Sequence, residues 1–281
     1  VPEAARQKYV KALASGSLVL WSLFMSVSYF KQLHQQTSPL LLATIWDPAS
    51  AVLAQQQGAK AVGTSSAALA WSLGYADGQQ LPVAELLAAV KRILRVIQLP
   101  FTVDIEQGYS NEPSQVAELV RQLTELGVAG VNIEDGTAEP QLLCAKIRAC
   151  RALLKGQALF INARTDVYLA QLAAGPEAVT ECRRRLALYQ EAGADGAFVP
   201  GLTDLAVAKP LSQQCSLPLN LMGWPEGATM EDLTAAGVKR ISAGPALFVH
   251  SYQSFIQATA LFLQQPVAFE PLNYQQMNQL F

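Results

Sequence analysis

Three carboxylates, Asp104, Glu106 and Glu134, have the types and spacing to hold a divalent cation. Asp104 and Glu106 are two positions apart, so on a β-strand their side chains point to the same face. Two carboxylates side by side, with a third on the next strand, repel one another unless protons or a cation neutralise them. All three offer oxygen, and no cysteine or histidine lies near them in sequence, which favours Mg2+, with Mn2+ as its substitute, over zinc. Mg2+ keeps several waters, so some of these carboxylates are expected to hold it through water. Each one alone could instead cap a helix or pair with a lysine at a rim; all three together read best as a metal site.

Arg164, after Ile161-Asn162-Ala163, carries the planar fork that suits a substrate carboxylate. It also suits an ion pair with Glu134 or Asp166, and the two roles are compatible. Ser65 and Ser66 could give hydroxyl and backbone N–H bonds to an oxyanion, or cap the helix that follows.

The elements that must position these groups alternate. Short apolar runs predict strands at Leu40–Ile45, Ala61–Thr64, Phe101–Ile105, Gly130–Ile133, Leu159–Ala163, Gly196–Val199, Leu217–Met222 and Arg240–Ala243. Helical periodicity occupies Ala49–Gln57, Pro82–Leu94, Pro113–Leu126, Pro140–Leu154, Glu177–Glu191, Asp204–Gln213 and Glu231–Ala236. Leu126-Gly127-Val128, Ala192-Gly193-Ala194 and Ala236-Gly237-Val238 share one grammar: a helix end, a left-handed glycine, then a buried strand. Eight strands separated by helices predict a parallel sheet closed as a (β/α)8 TIM-type barrel. The competing open sheet lacks a G-x-G-x-x-G after its first strand. In such barrels chemistry belongs at the C-terminal ends of the strands. Those ends hold Asp104, Glu106, Glu134, Arg164, Asp166 and Asn220, an acidic set for a chain with so few charges.

Bulk properties narrow the class. The chain has 281 residues, 51% hydrophobic and 15% charged, with a formal net charge of −2. That composition can bury a large core and excludes disorder. The only basic run, Arg183-Arg184-Arg185, reads as a solvated helix face, so nucleic acid is not an expected partner. Cys144, Cys150, Cys182 and Cys215 lack CxxC spacing, which fits reduced thiols in a cytoplasmic protein. Residues 1–29 form an extension whose apolar stretch Leu18–Phe30 is either a docked helix or an upstream segment, with a targeting role as the alternative; no membrane partner is expected. Residues 30–281 form the barrel domain with a helical tail, in which Phe248–Gln264 is an apolar helix followed by Phe269, Leu272, Tyr274 and Phe281.

Ordered motifs sharpen this reading. They are Asp47-Pro48-Ala49-Ser50-Ala51, Thr64-Ser65-Ser66-Ala67-Ala68, Leu73-Gly74-Tyr75-Ala76-Asp77 and Pro100 to Tyr109. Asn132-Ile133-Glu134-Asp135, Asn162-Ala163-Arg164-Thr165-Asp166 and Ala192 to Gly201 follow in order. Together they resemble the isocitrate lyase/phosphoenolpyruvate mutase superfamily over roughly residues 30 to 260. The resemblance implies a (β/α)8 barrel that binds Mg2+ and makes or breaks a C–C or P–C bond beside a 2-oxo acid through an enolate. It also implies a homodimer or homotetramer with a swapped C-terminal helix. By position, Asp104 resembles the direct metal ligand, and Asp77, Glu106 and Glu134 the carboxylates that hold metal-bound waters. Ser65, Ser66 and Ala67 resemble the loop that binds the substrate's carboxylate and oxo oxygens, and Arg164 the arginine at its other anionic end. Asp77 and Arg164 are thus the expected catalytic residues, and Asn220 joins the substrate-binding set.

Departures from the superfamily pattern narrow the activity; one is Glu106, where many mutases and lyases have aspartate, which lengthens one arm of the expected metal shell and keeps the charge. Lyases of the superfamily that act on isocitrate or methylisocitrate carry a Lys-Lys/Arg-Cys-Gly-His loop after the strand ending in the glutamate. Here Glu134-Asp135-Gly136-Thr137-Ala138-Glu139-Pro140 leads straight into a helix, and Cys144 falls on an amphipathic run where a buried structural role is expected. The Lys-x-Asn-Ser loop of the mutases and phosphonopyruvate hydrolases is also missing. The expected activity is cleavage of a small 2-oxo acid such as oxaloacetate. A phosphonopyruvate-type hydrolase or mutase, or a barrel that binds a 2-oxo acid and metal without turnover, is the alternative.

Overall fold

The computed structural model describes residues 27–267 and 271–281. Eight parallel strands close into a barrel in chain order: β1 Leu40–Ile45, β2 Val62–Thr64, β3 Phe101–Asp104, β4 Gly130–Glu134, β5 Phe160–Arg164, β6 Gly196–Phe198, β7 Leu219–Met222 and β8 Val238–Ser242. The helices are α1 Pro48–Gln56, α2 Ser66–Ser72, α3 Val83–Leu94, α4 Pro113–Leu126, α5 Pro140–Leu154, α6 Gly175–Ala192, α7 Leu205–Gln214, α8 Met230–Ala235, α9 Ala246–Phe262 and α10 Tyr274–Asn278. The predicted (β/α)8 architecture is therefore the observed one.

Local chemistry sets the element ends. Asp47 caps α1 in a capping box with Ser50, and prolines open α1, α4 and α5, where the missing N–H costs nothing. Gly127 and Gly193, at φ 102° and 108°, end α4 and α6 in the left-handed conformation and turn the chain into β4 and β6. Apart from β1, the strands bury both faces, one against the helices and one in the barrel interior.

That interior is unusually polar. Thr102, Asn132, Asn162, Asn220 and Arg240 are all buried, and Arg240 is charged with no carboxylate hydrogen-bonded to it. Burial holds its pKa down at about 9.

At the opposite end from the strand C-termini, residues 27–33 form a helical turn. Its Val27, Phe30 and Leu33 pack with Phe160 and Leu40 and plug the barrel floor. His34 stacks on Phe160 there, with its pKa lowered to about 3 by burial and then by Arg240. Of the N-terminal extension, residues 1–26 lie outside the described part, as does Phe269.

Two elements have no counterpart among the predicted ones, the short helices α2 and α10. A third feature is a gap. Beside β1, a groove of about 1130 Å³ lies open between α1 and the start of α9, and exposes Leu41, Leu53 and Leu247.

Candidate active site

Asp104 is the last residue of β3 and is buried at the barrel mouth. Its backbone N–H donates to Thr64 Oγ1 (2.8 Å). Its Oδ1 accepts the N–H of Glu106 (3.0 Å), and its Oδ2 accepts from Asn132 Nδ2 (3.1 Å). The Asn132 amide is itself oriented: its Oδ1 accepts from Asn162 Nδ2 (2.9 Å) and Arg240 Nη2 (3.2 Å). A chain of amides across the lumen thereby fixes Oδ2 of Asp104, while the Glu106 backbone fixes Oδ1.

Glu106 reaches the site by another route than the predicted one. β3 ends at Asp104, so the two acids do not share a strand face. At Glu106 the backbone turns to φ 50°, a conformation that L side chains adopt rarely, and the left-handed turn swings the carboxylate back toward Asp104. Gln79 (φ 62°) and Tyr109 (φ 60°) are left-handed as well, and all three are bonded together. Glu106 Oε2 accepts from Gln79 N–H (2.6 Å), Tyr109 OH donates to Glu106 Oε1 (3.3 Å), and Gln79 Oε1 accepts from Tyr109 N–H (2.8 Å). Backbone strain gathered at one spot and held by mutual bonds marks a functional loop more often than a structural one.

Glu134 ends β4, in register with Arg164 at the end of β5. Arg164 Nη1 meets Glu134 Oε2 at 2.7 Å, and its Nε and Nη2 grip Asp166 at 2.6 and 2.9 Å. Both predicted ion pairs are thus present. The Asp166 pair uses the Nε N–H and one Nη2 N–H, while Nη1 meets Glu134 as a close ion pair. Asp166 is held in turn by Asp135, whose Oδ1 accepts its backbone N–H (2.9 Å). Asp77 lies in the loop after α2, and its Oδ1 is shut from solvent without a partner among the described residues. Ser65 is the N-cap of α2, its hydroxyl accepting from Ala68 N–H (3.3 Å), with Ser66 first in the helix and Ala67 buried behind it. Asn220 sits deeper, fully buried; its Oδ1 accepts from Ser242 Oγ (3.3 Å) and its Nδ2 has no partner among the described residues.

The electrostatics single out this cluster. Burial raises the pKa of Asp104, against the pull of Arg164. Burial, then the nearby Asp77 and Asp104 charges, pushes Glu106 up to about 7. Glu134 is raised well above the usual range, chiefly by burial and then by Asp166, Asp104 and Glu106, despite Arg164. One arginine faces too many acids. Among the described residues no three His, Cys, Asp or Glu side chains converge as a direct coordination shell. The donor set is oxygen only and surrounds Asp104 at a remove, which fits a hard divalent ion that keeps its waters.

The chain matches the phosphoenolpyruvate phosphomutase family model over residues 30–263. An uncharacterised protein of Mycobacterium tuberculosis is 37% identical over 219 residues, 76% of this chain and 81% of that one. The oxaloacetate decarboxylase of Paraburkholderia xenovorans is 30% identical over 258 residues, 84% of each chain. A candidate phosphonomutase structure from Burkholderia cenocepacia superposes with a TM-score of 0.79 at 33% identity, covering 85% of this chain and 98% of that one. The chain belongs to the isocitrate lyase/phosphoenolpyruvate mutase superfamily.

Superfamily members are lyases and mutases that act on C–C or P–C bonds. This member has a very short β4–α5 connection, because α5 begins at Pro140. The connection is folded down: Gly136 adopts φ 54°, and a Cβ there would meet Gln107 Nε2 at 2.6 Å. Buried Lys146 of α5 holds Gln107, in the loop after β3, by donating to its carbonyl oxygen (2.7 Å). Cys144 faces the core from α5, its pKa raised by burial, so no thiol of that helix reaches the mouth. Asn132 was absent from the predicted set although it stands two residues before Glu134, on the same inward face. Tyr274 and Asn278 also touch the site, and nothing in local sequence announces them.

Proposed function

We propose that this superfamily member is a Mg2+-dependent lyase that cleaves the C–C bond of a small 2-oxo diacid, with decarboxylation of oxaloacetate as its reaction. The observation that carries the reading is the ring of raised-pKa carboxylates around Asp104, opposed by the single Arg164. The 30% identity to an oxaloacetate decarboxylase over 84% of the chain supports the choice of substrate. Asp104 is the residue to ligate the ion directly, with Glu106, Glu134 and Asp77 holding its waters. Mg2+ there supplies Lewis-acid stabilisation of the negative charge that develops on the 2-oxo oxygen.

The rest falls to the chain's own groups. The Nη N–H groups of Arg164 that Asp166 does not hold take the substrate's far carboxylate, and Glu134 and Asp166 keep the guanidinium aimed. Ser65, Ser66 and Ala67 receive the carboxylate next to the oxo group, and Asn220 offers its unpartnered Nδ2 from below. Loss of CO2 leaves an enolate that takes up one proton to give pyruvate, so bond cleavage needs no general base. That suits a site whose β4–α5 connection carries no cysteine or histidine, its Asp135 being tied up by Arg185 and Tyr189 and its Glu139 exposed.

A phosphonopyruvate-type reaction is the second reading, favoured by the 33% identity to a candidate phosphonomutase structure. We further infer a homodimer in which α9 of one copy fills the groove beside β1 of the other. The test is an assay panel of oxaloacetate, phosphonopyruvate, methylisocitrate and isocitrate with Mg2+. Oxaloacetate is expected to turn over, and Asp104→Ala to lower kcat/KM by about a thousand-fold. Full activity in Asp104→Ala would remove the metal assignment. Oxalate and Mg2+ binding without turnover of any substrate would mark the protein as a binder.

A further inference from the structure

The geometry points to the C-terminal segment as a working part of the site: Tyr274 and Asn278 of α10 are positioning residues that fix the Asp77 carboxylate for the cation. The inference rests on the metal reading proposed above. Asp77 belongs to a loop rather than a strand, and Glu106 and Asp104 lie close enough to repel it. An unrestrained loop carboxylate would swing away from those charges toward water. Two bonds from 197 and 201 positions down the chain prevent this. Tyr274 OH donates to Asp77 Oδ2 (2.7 Å), and Asn278 Oδ1 accepts the Asp77 backbone N–H (2.6 Å). With main chain and one oxygen both held, Oδ1 is left sealed from solvent with no partner among the described residues. A buried carboxylate oxygen without a donor is costly, and a cation's water shell is what would satisfy it.

The segment that supplies these bonds is built to dock. A helix of five residues has no stability of its own. α10 is held instead by its capping box at Asn273, by Met277 buried against Ala67, Ala68, Trp71 and Phe248, and by the Tyr274 ring on Trp71, centroids 5.3 Å apart. The same Asn278 oxygen that takes the Asp77 N–H also accepts from Trp71 Nε1 (2.9 Å), so one side chain ties the acid loop to α2. Leu272 N–H donates to Gln253 Oε1 (2.7 Å) and fastens the segment to α9. The docked segment thus braces two of the proposed site's parts at once, the Ser65–Ala67 turn through Met277 and the acid loop through Tyr274 and Asn278.

Mg2+ titration calorimetry on the full chain tests this, comparing wild type, Tyr274→Phe, Asn278→Leu, Asp77→Asn and the Asp77→Asn/Tyr274→Phe pair. Tyr274→Phe keeps the ring on Trp71 and removes only the hydroxyl. It is expected to weaken Mg2+ binding roughly ten-fold or more, as loss of a group that orients a metal-site carboxylate does. Asn278→Leu is expected to weaken it in the same direction. In the Asp77→Asn background Tyr274→Phe should add nothing further, because the phenol acts through Asp77. Wild-type affinity in both Tyr274→Phe and Asn278→Leu, with Asp77→Asn weakened, overturns the positioning role and leaves the metal reading intact. An additive effect of Tyr274→Phe on top of Asp77→Asn overturns it too. Unchanged affinity in Asp77→Asn overturns the place of Asp77 in the metal site itself.

Discussion

Burial and the neighbouring Asp77 and Asp104 charges push Glu106 up to about 7, from an ordinary value of 4.5. In metal-free protein the folded state therefore holds this proton between pH 4.5 and 7 while the unfolded chain has released it. The contribution of Glu106 to stability is full below pH 4.5 and declines as pH rises through 7. At pH 7.5 in chelator the ionised glutamate should cost up to about 3 kcal/mol of stability. Glu106→Gln removes the charge and keeps an acceptor for the Gln79 N–H. Urea unfolding at pH 7.5 without metal should find the variant more stable than wild type, and at pH 4 nearly equal to it. Added Mg2+ should narrow the gap at pH 7.5 by neutralising the wild-type acid. Equal urea midpoints at pH 7.5 without metal would mean that Glu106 is not strained by its neighbours.

At the scale of elements, α6 carries a buried network that governs the far side of the site. Arg185 and Tyr189, one turn apart, both donate to Asp135 Oδ2, and Asp135 Oδ1 takes the Asp166 N–H. Asp166 then grips Arg164. Asp135→Ala would leave Arg185 buried without that acid, at a cost of about 3–5 kcal/mol. It would also release the strand end that carries Asp166. Thermal melts and oxaloacetate KM should both worsen, with the rise in KM reporting the loosened Arg164; a melt unchanged within error would show the network to be idle. These links explain what could be read from the chain beforehand. The alternation of strands and helices, and the placing of Asp104, Glu134 and Arg164 at strand ends, were legible because period-two and period-3.6 patterns are local. The left-handed turn at Glu106 was not, since the residue there is not a glycine and the Gln79 that helps to hold it comes from another loop. Nor was α2, whose Ser-Ala-Ala run has no amphipathic contrast because it is almost wholly buried. α10 escaped for the opposite reason: five residues carry no periodicity, and their partners lie about two hundred positions away.

For the whole molecule, the groove beside β1 and the reach of α9 pose one question with one answer. Each strand of such a barrel needs an outer cover, yet Leu41 on β1 is 48% exposed. α9, the helix next in sequence to that seat, buries only Phe248. Farther along it presents Phe255, Leu261 and Phe262, the last two 81% and 85% exposed. An apolar face of that kind and an apolar groove of about 1130 Å³ on one chain complement each other between copies. If α9 of each copy enters the groove of the other, the contact is two-fold and closes at a dimer. Leu261→Glu with Phe262→Glu places charge in the middle of that contact, on residues that touch nothing in the chain's own core. Light scattering coupled to gel filtration should then give a monomer where wild type gives a dimer or a pair of dimers. Circular dichroism should be unchanged, because the barrel core is not touched. Mg2+ binding should persist as well, since Asp104, Asp77 and α10 all come from one chain. A variant that keeps the wild-type mass would place the interface elsewhere and leave the groove beside β1 without an occupant from a second copy.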